Sequence, residues 1–123
     1  MKKSNSFKFL DESLNQQLIT RLKKAEIQHD VDGDGVVYYS PDDEEVVENG
    51  FICSIRDKVF PAWQVLTCPR DWIVRYKQYM SQYEIPFREE LSNGELWFLL
   101  PRKYRPDRWK LDRPMKTARM AMG

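Results

Sequence analysis

The chain has 123 residues, 41% hydrophobic and 13% aromatic, with 32% charged and a net charge of +1, enough apolar material for one core but not for two. No stretch approaches the roughly 18–20 consecutive apolar residues of a spanning helix, and the opening MKKSNSFKFLDESL lacks the apolar run and small-residue cleavage site of a secretion signal. Cys53 and Cys68 stand in neither CxxC nor CxxxxC spacing, so a disulfide framework and a thiolate metal site are unsupported, and two buried thiols in a reducing cytoplasm are expected.

In chain order, FKFL from Phe7 reads as a strand leading into a helix, DESLNQQLITRLKKAEI. There Leu14, Leu18, Leu22 and Ala25 recur at three- and four-residue steps, while Gln16, Lys23 and Lys24 fall on the other side. QHDVD, a GDG turn and VVYYSP follow as a hairpin. The next segment, PDDEEVVENGFICSIRDKVF, reads as a linking helix. Ser40 caps it, Pro41 opens it, four carboxylates crowd its positive end, and Arg56 and Lys58 sit near its negative end. Its stripe is Val47, Phe51, Ile55 and Val59, with Val46 and Cys53 on the opposite side, so cover on two sides is expected, with a break or kink at Asn49-Gly50. WQVL is a further strand. The helix after it opens at Pro69 and gathers Trp72, Ile73, Tyr76, Tyr79, Met80 and Tyr83 within roughly 120° of its circumference. PFREEL then reads as a half-exposed strand, SNG as a turn, and ELWFLLP as a central strand apolar on both faces, like VVYY.

The same order of signals thus occurs twice, at an offset that drifts from 56 to 60 residues, with Glu26-Ile27 and Glu84-Ile85 at the helix ends and Pro41 and Pro101 after the last strands. The fold expected is α+β: duplicated βαββ units at about 6–41 and 62–101, joined by a helix at about 41–60, with helices packed on a mainly antiparallel sheet. Each unit is similar to half of a ferredoxin-like domain, a shared architecture that implies no activity. Residues 1–101 form the expected domain and 102–123 a basic C-terminal tail. The tail holds eight Lys/Arg against Asp107 and Asp112, a net of +6, while residues 1–101 hold twelve basic and seventeen acidic groups, a net of −5.

The sharpest local pattern is Asp30-Val31-Asp32-Gly33-Asp34-Gly35, the first half of an EF-hand type calcium loop, in which alternate carboxylates converge on a hard cation. Its twelfth position falls on Pro41 instead of a bidentate glutamate, and Ser92-Asn93-Gly94 holds the equivalent place in the second unit without carboxylates. A hairpin turn is therefore the favoured reading and calcium held by Asp30, Asp32 and Asp34 the minor one; no other cofactor is expected. His29, the one histidine, shares strand phase with Ile27 and Val31 and is expected half-buried and hydrogen-bonded. No GxGxxG or GxxxxGK[ST] loop occurs, and Glu89-Glu90 point to opposite faces of a strand, so they read as a solvated edge rather than a catalytic pair. The aromatic stripe of the second helix reads as core, not as a stacking platform, because Arg70, Arg75 and Lys77 lie off it.

Function is expected to reside in the tail, where Arg102, Lys103, Arg105, Arg108, Trp109 and Lys110 combine positive charge with aromatic surface. Pro106 and Pro114 oppose a regular helix there. No catalytic constellation is visible, so the leading expectation is a non-enzymatic protein-binding or regulatory module that meets a protein partner or a second copy of itself, without membrane contact. The alternatives are nucleic-acid binding through the tail and a small-ligand or calcium-sensing domain.

Overall fold

A computed structural model describes residues 4–67, 69–105 and 116–120. Their elements are β1 (Asn5–Phe9), α1 (Glu12–Lys24), β2 (His29–Val31), β3 (Val37–Tyr39), a 3-10 turn (Pro41–Asp43), a π-helical segment (Glu45–Ile52), α2 (Cys53–Val59), β4 (Trp63–Thr67), a 3-10 turn (Arg70–Trp72), α3 (Ile73–Gln82), β5 (Arg88–Ser92), β6 (Glu95–Pro101) and β7 (Lys116–Met120). The seven strands form one sheet in the order β2-β3-β1-β5-β6-β4-β7, and each neighbouring pair is antiparallel. The fold is α+β.

The helices begin and end for local reasons. The carboxylate of Asp11 accepts the Leu14 amide at 3.2 Å and caps α1. Beyond its last turn Glu26 takes a positive φ of 56°, and the Ile27 amide donates back to the Leu22 carbonyl at 3.1 Å. Helix α3 stops in the same way, with Glu84 at φ 52° and the Ile85 amide donating to the Met80 carbonyl at 2.8 Å. Both are Schellman ends, in which a left-handed residue satisfies the last carbonyls and the next apolar residue folds back on the helix. The recurring Glu-Ile pair of the sequence is this stop signal.

Side-chain alternation divides the core between the two sheet faces. Phe7 and Phe9 of β1 and Val37 and Tyr39 of β3 pack against Leu18, Ile19 and Leu22 of α1 and against Val47, Ile52 and Ile55 of the linking segment. Along β4 and β6, Trp63, Val65 and Leu99 meet the linking segment. Leu66, Phe98 and Leu100 meet Tyr76 and Met80 of α3. Helix α1 and the linking segment therefore share one face, and α3 covers the other. Leu18, Leu22, Tyr76 and Met80 have no solvent exposure, and each such side chain contributes about 2 kcal/mol through apolar burial.

The linking segment departs from the regular helix expected over 41–60. Its buried positions are Val47, Ile52 and Ile55 rather than Val47, Phe51 and Ile55, and Val46 is 51% exposed. The wider π turn spaces equivalent positions five residues apart, which moves the buried position from Phe51 to Ile52 and turns Glu48 and Arg56 inward. Strand β5 is also central rather than a half-exposed edge, since it pairs with β1 on one side and β6 on the other. Nor does the fold end at residue 101: Tyr104 packs against the core below α3, and β7 adds a strand on the outer edge of β4. An apolar strand such as β4, buried from Trp63 to Leu66, needs its edge covered, and the tail supplies the cover.

Candidate functional site

Of the tail residues expected to bind a partner, Arg108, Trp109 and Lys110 lie outside the described residues. Arg102 and Arg105 belong to a turn fixed to the sheet: the Arg102 amide donates to the Ala62 carbonyl at 2.7 Å, and buried Gln64 donates through Nε2 to the carbonyls of Pro101 at 3.2 Å and Tyr104 at 2.6 Å. The Lys103 Nζ stands 5.3 Å over the Tyr104 ring. Arg119 of β7 turns toward the linking segment.

The Asp30, Asp32 and Asp34 segment turns the β2–β3 hairpin. Asp32 Oδ1 accepts the amides of Asp34 at 2.9 Å and Val36 at 3.0 Å, and Oδ2 accepts the Tyr38 hydroxyl at 3.1 Å. Those bonds, the Val36 amide foremost, hold the Asp32 carboxyl below the usual carboxylate range, and the Lys8 charge adds to the effect. The three aspartates do not converge, and among the described residues no group of three His, Cys, Asp or Glu is placed to hold a metal ion. On the inner side of the hairpin, buried Asn15 accepts the Phe9 amide at 3.0 Å and donates to the Gly35 carbonyl at 2.8 Å, pinning the turn to β1. His29 Nδ1 lies 2.8 Å from the Ile27 carbonyl, a local backbone contact on the edge strand.

The densest polar chemistry lies in the interior, at residues whose sequence places them at a helix end and on a solvated edge instead. Arg56 of α2 has no exposed surface, and neither does Glu90 at the centre of β5. They meet in a two-point pair, Nε to Oε2 at 3.1 Å and Nη2 to Oε1 at 2.7 Å. Arg56 Nη1 reaches Glu48 Oε1 of the π segment at 3.3 Å, and its guanidinium lies 4.9 Å from the centre of the Trp63 ring and 5.9 Å from that of Phe7. Arg119 of β7 completes the cluster, with Nε at 3.0 Å from Glu48 Oε1 and Nη1 at 2.9 Å from Asn49 Oδ1. Two arginines thus face two carboxylates. Burial pushes the Glu90 carboxyl up, against the opposing pull of Arg56. Burial likewise raises the Cys53 thiol beside the cluster, where Arg56 Nη1 lies 3.7 Å from Sγ.

The geometry has definite chemical limits. A permanently charged guanidinium clamped by two carboxylates offers no proton to transfer, and no solvent reaches Arg56 or Glu90. The cluster is a tie between three elements: α2 to β5 through Arg56, the π segment to α2 through Glu48, and β7 to the π segment through Arg119. The aromatic stripe of α3 lies inward at Tyr76, with Trp72 half-buried and stacked under Arg75 at 4.6 Å. Among the described residues no helix is long and apolar enough to cross a membrane. Compared with known proteins, the chain matches no family model, no curated protein and no solved structure.

Proposed function

We propose that the chain is a non-enzymatic protein-binding or regulatory module of the cytoplasm whose partner joins the sheet at its β7 side. The observation that carries this reading is the construction of that border. Strand β7 comes from the basic tail, ends the sheet, and exposes Thr117, Ala118 and Met120. Among the described residues β7 borders the sheet, and an edge strand with a basic side chain beside an acidic body is suited to recognition of an extended segment of another protein. The same reading makes the two βαββ units copies of one ancestral unit. In support, each unit places its first strand beside the second hairpin strand, and both helices close on a Glu-Ile Schellman end. A half-turn about an axis across the strands relates units that point in opposite directions, and it puts α1 and α3 on opposite faces with one crossover hand.

Light scattering on the purified full chain, followed by affinity capture from the native cell and titration of any captured protein in purified form, tests the module. A saturable complex with one protein, or a defined homo-oligomer, supports it. A strictly monomeric chain that retains no protein and shows salt-dependent affinity for RNA or DNA rejects it.

A further inference from the structure

We propose that β7 is a built-in substitute for a partner strand. The outer edge of β4 is a docking site for an extended peptide that sets an arginine or lysine over Glu48, and β7 keeps that site closed in the isolated chain. The proposal rests on the binding-module reading and adds to it the site, the partner's chemistry and the regulation.

Three observations combine. Strand β4 is buried from Trp63 to Leu66, and β7 covers one of its two edges. That cover is light: Thr117, Ala118 and Met120 are exposed, Arg119 keeps 38% of its side-chain surface, and the ladder is interrupted between Val65 and Leu66. Among the described residues β7 is held by main-chain pairing, one ion pair and one side-chain hydrogen bond, with three of its side chains exposed, and such an element belongs to the part of a fold that opens locally. The third observation is charge. With Arg119 in place, Arg56 and Arg119 balance Glu48 and Glu90, and the Glu48 side chain is 6% exposed; a covering strand with no cation at that point would bury two carboxylates against one guanidinium. Any strand replacing β7 must therefore supply a cation at that point. Main-chain pairing gives such a site its affinity, and Glu48 with Asn49 gives it selectivity.

The test uses the full-length chain, its Arg119→Glu and Arg119→Ala variants, and two blocked synthetic pentapeptides. One peptide has the sequence of residues 116–120 and the other carries glutamate in place of its arginine. Amide hydrogen exchange reports on β4 and β7, and the anisotropy of dye-labelled peptide reports on binding. Both variants are expected to lose protection at 116–120 and to bind the arginine peptide about 10-fold more tightly than the wild type, because the closed state no longer competes. The glutamate peptide should not bind. Unchanged protection at 116–120 in both variants, equal binding of the two peptides, or no gain over the wild type overturns the proposal. Where the variants do not fold by circular dichroism, the wild type decides: residues 116–120 must exchange faster than Phe98–Leu100, and exchange only through global unfolding rejects a strand that opens. A protein partner bound while 116–120 stay protected removes this inference and leaves the binding module standing.

Discussion

Replacing Arg56 with methionine keeps much of the side-chain volume and removes the charge that holds Glu90. The pair lost is a two-point contact at 3.1 and 2.7 Å between groups with no solvent exposure. Breaking a buried ion pair from one side costs about 3–5 kcal/mol, since the remaining charge stays buried without a partner. Protonation limits that cost, because burial already pushes the Glu90 carboxyl up and loss of the opposing Arg56 charge pushes it further the same way. A carboxyl raised in the folded state binds more protons folded than unfolded, so stability is fullest below the ordinary glutamate range and falls as pH climbs through the raised value. Urea unfolding followed by tryptophan fluorescence should therefore show a deficit of about 3–5 kcal/mol at pH 8 and a smaller one at pH 5. The double variant Arg56→Met/Glu90→Leu should recover most of the loss, because no buried charge remains at β5. A single variant within about 1 kcal/mol of wild type at pH 8, or a double variant as unstable as the single, would refute the account of the cluster.

Asn15→Ala leaves the buried Phe9 amide and the Gly35 carbonyl without their partner; a loss of about 1–3 kcal/mol by thermal or urea unfolding is expected, with amide shifts confined to β1 and the hairpin. Tyr39, raised by burial to about 12 with Glu48 adding to the shift, should be silent in an ultraviolet titration at pH 10. Because its phenol is raised in the folded state, its contribution to stability is present below its ordinary range and lost as pH rises toward about 12; an early phenolate signal that vanishes in Tyr39→Phe would contradict this. Among the described residues Trp97 Nε1 is buried without a hydrogen-bond partner, whereas Trp63 Nε1 donates to Asp57 at 2.7 Å and its ring lies under Arg56. Trp63→Phe should accordingly cost more than Trp97→Phe by about 1–2 kcal/mol in parallel urea curves.

Much of the architecture was legible because it rests on local signals. Leu14, Leu18 and Leu22 define the side of α1 that packs on the sheet, Tyr76 and Met80 do so for α3, and Asp11 and Glu-Ile mark helix limits through capping chemistry. What escaped depends on relations between distant segments. Glu89-Glu90 reads as a solvated edge while each unit is considered alone; once β1 pairs with β5, Glu90 lies between Phe9 and Trp97 in the middle of the sheet. Arg56 reads as a partner for the helix dipole under regular helical spacing, and the π segment turns it inward. The arginine of β7 shows no function in a string of basic residues, because its role comes from the position of Glu48 across the fold. The same holds for Asp32: its spacing fits a calcium loop, and its oxygens are already engaged by the hairpin's own amides and Tyr38.

The wide turn between Glu45 and Ile52 sets the angular phase of everything that follows it up to Val59. Each residue of an α-helix advances the azimuth by about 100°. Deleting a single residue between Val46 and Gly50 would let the stretch relax into ordinary helix, where positions four apart share a side, and would leave the guanidinium of Arg56 close to its present azimuth, whereas adding one would swing it off the axis that joins it to β5. The linker consequently tolerates loss of one residue at the wide turn, around its Asn-Gly step, and not an added one. Its spacing, more than the identity of its surface residues, is what registers one half of the molecule against the other.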